Sequence, residues 1–314
     1  MKAHLVIIGL VVAGCASASP SPSPTLVPTV EPTPTLAPTV EPTATVRPTP
    51  IPIPVDEAML ARRFTVLVAG ADSSLSRRSD GVDDWNTDAL MVISVSPDQS
   101  NIAVISLPRD TVDIPMADGT IYRRKVNGLA QRLGMDALRG AMASLLGVPI
   151  DRYIRVDMDD FIWMVDVVGG IDVEVKTRLS DSKVQLLLEP GPAHLDGATA
   201  LSFARTRVDS DYGRAARHQQ VILALVRKWL NPGLGALIGS VRLLGSLQTD
   251  IQLNELTTLV EMGRRTASAE VSGIVLSPPR FSLFVGIEPN GYRGWVMIPN
   301  VPEIRAYAIS VLAD

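Results

Sequence analysis

The sequence predicts an α/β domain in which a mixed central sheet is covered by helices on both faces, an arrangement of αβα layers. Three observations carry that expectation. Apolar, β-branched runs of strand length recur, beginning with Phe64 to Ala71. Stretches with the period of amphipathic helices alternate with them. About 260 residues follow a proline-rich segment, enough for one large domain around a single core.

Ala89 to Val95 is a second strand, and the turn signal Ser96-Pro-Asp-Gln99 makes it a hairpin with a third, Asn101 to Leu107. Asn127 to Leu146 is helical by period and ends at Gly147 and Pro149. Asp151 to Val156 follows as a strand. Asp159 to Val168 is apolar nearly all round, as a buried helix would be, and Gly169-Gly170 closes it before the strand Ile171 to Val175. Asp196 caps a short helix that runs to about Arg205. Gly213 to Leu230 is a long helix with arginines in its first turns and an apolar stripe behind them. From Pro232 the pattern gives two more helices, strands near Val271 to Leu276 and Ser282 to Gly286, and a closing helix from Pro302. Nothing in it breaks from the core, so residues 56–314 are read as one domain.

The preceding residues have a different character. Lys2 supplies a basic start, and Ala3 to Ala13 is apolar apart from one histidine. That run is too short to span a bilayer, which takes about 20 residues, and has the proportions of an export signal. Val12-Ala13-Gly14-Cys15 resembles the lipobox of bacterial lipoproteins, in which Cys15 is lipidated and becomes the mature N-terminus. Cys15 is the single cysteine, so an intramolecular disulfide is excluded. Residues 16–55 hold half of the 24 prolines, and Val27-Pro-Thr-Val-Glu-Pro-Thr33 returns almost unchanged as Ala37-Pro-Thr-Val-Glu-Pro-Thr43. Such a linker favours extended polyproline II and at about 3.1 Å per residue reaches on the order of 100 Å. The expectation is a signal over residues 1–15, a stalk over 16–55, and attachment by lipid to the extracytoplasmic face of the membrane.

A net charge of -4 and few aromatics argue against a nucleic-acid partner. The chemistry-bearing residues gather where strands end. Strand one runs into Asp72, Thr87-Asp88 opens strand two, and strand three runs into Pro108-Arg109-Asp110. Further on stand Arg205-Thr-Arg207 and the string Asp211-Tyr-Gly-Arg214-Ala-Ala-Arg217-His-Gln-Gln220. Arg214 and Arg217 are three apart and share a helix face. Arginine forks hold oxyanions and carboxylates hold a divalent metal, so the set describes a phosphate site.

Together these strings resemble the LytR-CpsA-Psr (LCP) family of envelope glycopolymer transferases. The resemblance runs from about Phe64 to Trp229. It rests on Val104-Ile-Ser-Leu-Pro-Arg-Asp-Thr111, Lys125-Val-Asn127, Leu145-Leu-Gly-Val-Pro-Ile-Asp151, Phe161 to Val173, Glu189 to Leu201, Ala204-Arg-Thr-Arg207 and Asp211 to Gln220. It implies an LCP-like fold and a magnesium-dependent phosphotransferase. The reaction implied moves a glycopolymer from an undecaprenyl-pyrophosphate carrier to a peptidoglycan hydroxyl. By the same resemblance Asp88 helps to hold Mg2+ with Asp72 as its partner. Arg109 contacts phosphate, Arg205, Arg207 and Arg217 complete the clamp, and Gln220 lies beside it, with Arg214 a further substrate contact. Asp88, Asp72 or a metal-bound hydroxide remain as candidate bases.

Two departures stand out. The family reads Arg-Ser-Asp-Thr where this chain has Asn86-Thr-Asp-Ala89, and Arg78-Ser-Asp80 offers a rival alignment. Asp88 is preferred because Ala89-Leu-Met-Val-Ile continues as a strand. Many relatives carry an N-terminal transmembrane helix, where this chain is expected to use a lipid and a stalk. The missing arginine keeps open a non-catalytic binder of polyprenyl phosphate or wall polymer, and the same residues would suit a lipid pyrophosphatase. The anchor is directly testable: Cys15→Ser should leave the domain folded and remove it from the membrane fraction, because stable attachment takes two acyl signals. Unchanged fractionation with membranes would sink the lipobox assignment.

Overall fold

Residues 54–81, 85–209, 211–230, 247–289 and 291–312 are described by the computed structural model. The expected leader and nearly all of the stalk, Cys15 included, lie outside them, as does the stretch 231–246, where one of the late helices is expected. Ile51–Asp314 form one compact unit.

Helix α1 (Glu57–Leu60) is capped by the Asp56 carboxylate, which accepts from the Met59 amide. Strand β1 (Phe64–Ala71) follows, then α2 (Leu75–Ser79), β2 (Thr87–Val95) and β3 (Asn101–Ser106). The β2–β3 hairpin turns at Gln99, whose amide donates to the Ser96 carbonyl at 2.9 Å. Short strands β4 (Ile114–Pro115) and β5 (Ile121–Tyr122) pair with each other. The helical stretch expected as one element is two, α3 (Leu129–Leu133) and α4 (Met135–Leu146), because Gly134 between them has φ +91°. The chain continues through β6 (Arg152–Val156), α5 (Met158–Val167), β7 (Ile171–Val175), β8 (Leu179–Asp181), β9 (Leu186–Leu188), β10 (Gly191–Leu195), α6 (Gly197–Arg205) and α7 (Asp211–Leu230). It ends with β11 (Gln248–Thr249), α8 (Leu256–Arg265), β12 (Glu270–Val275), β13 (Ser282–Ile287), β14 (Trp295–Pro299) and α9 (Val301–Leu312).

Six strands form the central sheet in the order β11-β6-β1-β2-β3-β12. The β1–β2–β3 meander is antiparallel, while β6 and β12 join its two edges in parallel, so the sheet is mixed as expected. Side chains alternate between its faces. Leu67, Ala69, Leu90 and Val92 enter a core with Leu129, Leu138, Met142, Leu145 and Ile304 from α3, α4 and α9. On the other face lie α5, α6 and α7, which share a core of their own with β7 and β10 that includes Val165, Ile171, Phe203 and Val221.

Two expectations need correction. Helix α5 is not buried all round: Val165 is its fully buried residue, while Phe161 and Met164 face a cavity over the sheet. The composition is that of a buried helix because an apolar hollow needs an apolar roof. Strand β14 went unrecognised behind the Gly291-Tyr-Arg-Gly294 turn that precedes it.

Close approach of α5 to α6 rests on Gly197, where a Cβ would sit 2.3 Å from the Ile162 carbonyl oxygen. The Gly197 amide also donates to Asp166 at 2.7 Å. Gly197→Ala should therefore force the helices apart and cost about 1–3 kcal/mol, the usual penalty of overpacking. A denaturant midpoint equal to the parent's would show that the two helices are not so tightly apposed.

Candidate functional site

The site is built at one end of the sheet, where β1 ends, β2 begins and β3 leaves. Gly70 lies against Ala89, with room for no larger residue without adjustment: a Cβ there would be 3.0 Å from that of Ala89. The pairing steps from Gly70↔Ala89 to Ala71↔Thr87, so Asp88 is the extra residue of a β-bulge. A bulge re-aims the side chain it carries. Asp72 follows directly, its amide bonded to the Asn86 carbonyl at 2.8 Å.

Guanidinium groups meet these carboxylates from three segments. Arg109, just past β3, donates to both Asp88 oxygens at 2.9 and 2.8 Å, and Arg207 lies 3.4 Å from Asp88 Oδ2. Asp72 pairs with Arg77 at 3.0 Å and with Arg205 at 3.7 Å. Asp88 lines the site; Asp80, the rival carboxylate, is an exposed residue at the end of α2. Arg77, from α2, supplies a guanidinium to Asp72, whose amide is bonded to Asn86.

Two cavities meet here. One, of about 300 Å3, runs between the sheet and α5–α7 and is walled by Val68, Met91, Ile93, Ile154, Phe161, Met164, Leu201, Ile222 and Leu225. The other, of about 460 Å3, is polar and lined by Asp72, Asp88, Asp181, Lys183, Arg205, Arg207, Arg214 and His218. Asp72, Asp88, Arg205 and His218 belong to both.

Arg214 and Arg217 do not act alike. Arg214 is 4% exposed and lines the polar cavity. Arg217, 6% exposed, turns to the chain between α6 and α7. It donates to the carbonyls of Phe203 at 3.0 Å and Thr206 at 2.5 Å and pairs with Asp209 at 2.7 Å. It therefore fixes the loop that presents Arg205 and Arg207, and it does not line either cavity. Gln220, expected beside the phosphate, donates to the Glu174 carbonyl of β7 at 2.9 Å and lines neither cavity.

Three lining residues were not singled out from sequence. His218 lies one turn beyond Arg214. Burial pushes its imidazole down to about 4, Arg214 adds to the depression, and the Ala204 carbonyl and Asp88 oppose it. It is neutral near pH 7. Asp181 and Lys183 come from the β8–β9 hairpin. Thr206 donates to Asp181 at 2.7 Å, and that bond holds its carboxyl below the usual range. The signal for Asp181 and Lys183 was weak, since a polar hairpin tip reads as ordinary loop.

Two carboxylates, Asp72 and Asp88, line one cavity, a donor set that suits a hard divalent cation taking its other ligands from phosphate and water. Among the described residues no group of three or more His, Cys, Asp or Glu forms a closed metal cage. The apolar cavity thus opens into a mouth of arginines and carboxylates.

The LytR_cpsA_psr family model matches residues 43–287, and the chain belongs to that family. It is 29% identical over 208 residues to the polyisoprenyl-teichoic acid–peptidoglycan teichoic acid transferase TagV of Bacillus subtilis (strain 168), covering 63% of this chain and 52% of the relative. TagU of Bacillus mycoides (strain KBAB4), which bears the same transferase name, is 32% identical over 200 residues, covering 63% and 60%. The match thus spans about half to three fifths of these relatives' length. The crystal structure of B. subtilis TagV superposes with a TM-score of 0.64 at 25% identity, covering 80% of this chain and 98% of that one. A structure of the LytR-CPS2A-psr family protein YwtF (TagT) with bound octaprenyl pyrophosphate lipid shares the fold at a TM-score of 0.57 and 21% identity, over 81% and 91% of the chains.

Arg217→Ala should destabilise the domain by about 2–3 kcal/mol, since two carbonyls and Asp209 lose a charged donor. Arg217→Lys should recover only part of this, because an ammonium cannot reproduce the fork. A thermal melt unchanged by the alanine variant would contradict the clamp.

Proposed function

We propose that this protein is a phosphotransferase of the cell envelope that moves a glycopolymer from a polyprenyl-pyrophosphate carrier, undecaprenyl in kind, to a peptidoglycan hydroxyl. The observation that carries this reading is the sharing of Asp72, Asp88, Arg205 and His218 between the apolar and the polar cavity. A lipid pyrophosphate has the same two-part form, with its phosphates at the junction. The names of the TagU and TagV relatives, and the octaprenyl pyrophosphate in the TagT structure, support the assignment.

The reaction attacks the sugar-bearing phosphorus with an acceptor hydroxyl. A new P–O bond forms, the bridging P–O bond to the distal phosphate breaks, and the lipid monophosphate leaves. The hydroxyl proton passes to a carboxylate at the junction, Asp72 or Asp88. Arg109, Arg205, Arg207 and Arg214 neutralise phosphate oxygens, the largest requirement of such a displacement. Asp72 and Asp88 would hold Mg2+, which when bound neutralises further charge on the phosphates. His218 stays uncharged and closes the boundary between tail and head. Anchoring through Cys15 would place the domain, on its stalk, at the outer membrane surface from which such a lipid is presented.

Turnover of a lipid-pyrophosphate-linked glycan tests this assignment. Asp88→Ala and Arg109→Ala should each lower it roughly a hundredfold, the loss expected for one preorganised charge contact. The melts should stay close to the parent's. Product carrying the polymer on a glycan hydroxyl identifies a transferase, whereas polymer phosphate released to water identifies a hydrolase. Parent-like turnover in both variants would remove the assignment.

A further inference from the structure

Lys183 lines the polar cavity from the tip of the β8–β9 hairpin. Arg205 and Arg207 face Asp72 and Asp88, whereas the exposed Lys183 forms no ion pair among the described residues. Its backbone is nevertheless fixed. Leu179 of β8 and Leu186 of β9 are buried in the core shared by α5, α6 and α7, and Val184 at the tip packs against that core. Asp181 pairs with Leu186, which leaves residues 182–185 as the turn. One oxygen of Asp181 accepts from the Lys183 amide at 3.0 Å, and the other accepts from the Thr206 hydroxyl at 2.7 Å. A single carboxylate thus ties the hairpin tip to the loop that carries Arg205 and Arg207. Arg217 holds the same loop through the Thr206 carbonyl at 2.5 Å.

The two cavities give the lining residues an order. Asp72, Asp88, Arg205 and His218 face both, while Lys183, Arg207 and Arg214 are the cations that face the polar one alone. A prenyl pyrophosphate with its tail in the apolar cavity sets its first phosphate among the shared residues. Its second phosphate, one P–O–P bridge further out, then falls among Lys183, Arg207 and Arg214. That second phosphate bears the glycan, and it is the one that moves, because it departs with the acceptor. An arginine is a rigid fork suited to an oxyanion held in place. A lysine is a compact charge on a flexible stem with three rotatable donors, able to follow an oxyanion as it shifts.

We infer that Lys183 binds the second, glycan-bearing phosphate of the lipid carrier. Resting on the transferase reading, this makes the β8–β9 hairpin the part of the site that tells a lipid pyrophosphate from a lipid monophosphate. The monophosphate left by the reaction keeps the contacts at the junction and loses the one from Lys183. Substrate is thereby held more tightly than the spent carrier.

Calorimetric titration of the full chain in detergent tests this with three probes: octaprenyl pyrophosphate, octaprenyl monophosphate and inorganic pyrophosphate. Lys183→Met keeps most of the stem and removes the charge. It should weaken octaprenyl pyrophosphate about tenfold, the scale of one charge-assisted contact, and bind the monophosphate as the parent does. Lys183→Arg should keep most of the preference for pyrophosphate. Thermal melts of both variants should match the parent's, since the residue is exposed at a turn, and Lys183→Gln carries the test if Lys183→Met fails to fold. Equal loss for the monophosphate, or no loss for the pyrophosphate, overturns the assignment. A parent that binds neither lipid would instead remove the transferase reading. Inorganic pyrophosphate that the parent binds and Lys183→Met holds less tightly would then still place Lys183 on a phosphate. No binding of it, or parent-like binding by the variant, would overturn that as well.

Discussion

Period-two alternation along β1 and β2 is the constraint from which the rest of the molecule follows. It commits Leu67, Ala69, Leu90 and Val92 to a solid core and leaves Val68, Met91 and Ile93 over a hollow. Interiors ordinarily close-pack, so a hollow needs support on each side of it. The sheet is backed by α3, α4 and α9, and the roof of α5, α6 and α7 is knitted to β7 and β10 by its own buried residues. Beside the hollow the layers also touch, where Ile222 and Val226 of α7 pack against Met91, Ile102 and Val104 of the sheet.

The same division governs the charges. Arg77, Arg205 and Arg207 meet carboxylates in partly exposed pairs, which contribute little to stability, whereas Arg109 grips both oxygens of Asp88 in a pair largely shielded from solvent. The exposed pairs can exchange partners when an anion arrives. Arg217 differs again. Its buried guanidinium is satisfied by two carbonyls and Asp209 and serves the backbone. Two arginines on one helix thus do different work, one facing the ligand space and the other fastening the loop beside it.

Much of the fold was legible because its strands are strongly β-branched and its turns strongly marked. β1 and β7 have the expected bounds, and Asp196 caps α6 by accepting from the Thr199 amide at 2.8 Å. Less was legible where local pattern and tertiary context disagree. The period of residues 127–146 is continuous, yet one glycine at positive φ divides the helix. The carboxylates and Arg109 could be anticipated because strand ends bring them together. The separation of Arg214 from Arg217 could not, since residues three apart on a helix share a face only loosely and the neighbours decide which way each turns. His218 was masked by its strongly polar surroundings in sequence, and Asp181 and Lys183 by a hairpin whose docking on the site depends on the Thr206 hydroxyl.

The pairing of β12 with β3 has a consequence for how the protein comes into being. Strand β3 forms its hairpin with β2 at once, but its other edge waits for Glu270 to reach Asn101 and Val275 to reach Ser106. Such a contact spans most of the folded chain, and long-range pairing of this kind makes folding slow. Until it forms, β3 offers an open edge of unpaired backbone, which is a template for wrong association. The end of the sheet that carries Arg109 thus depends for its completion on a strand far along the chain, where Val275 pairs with Ser106.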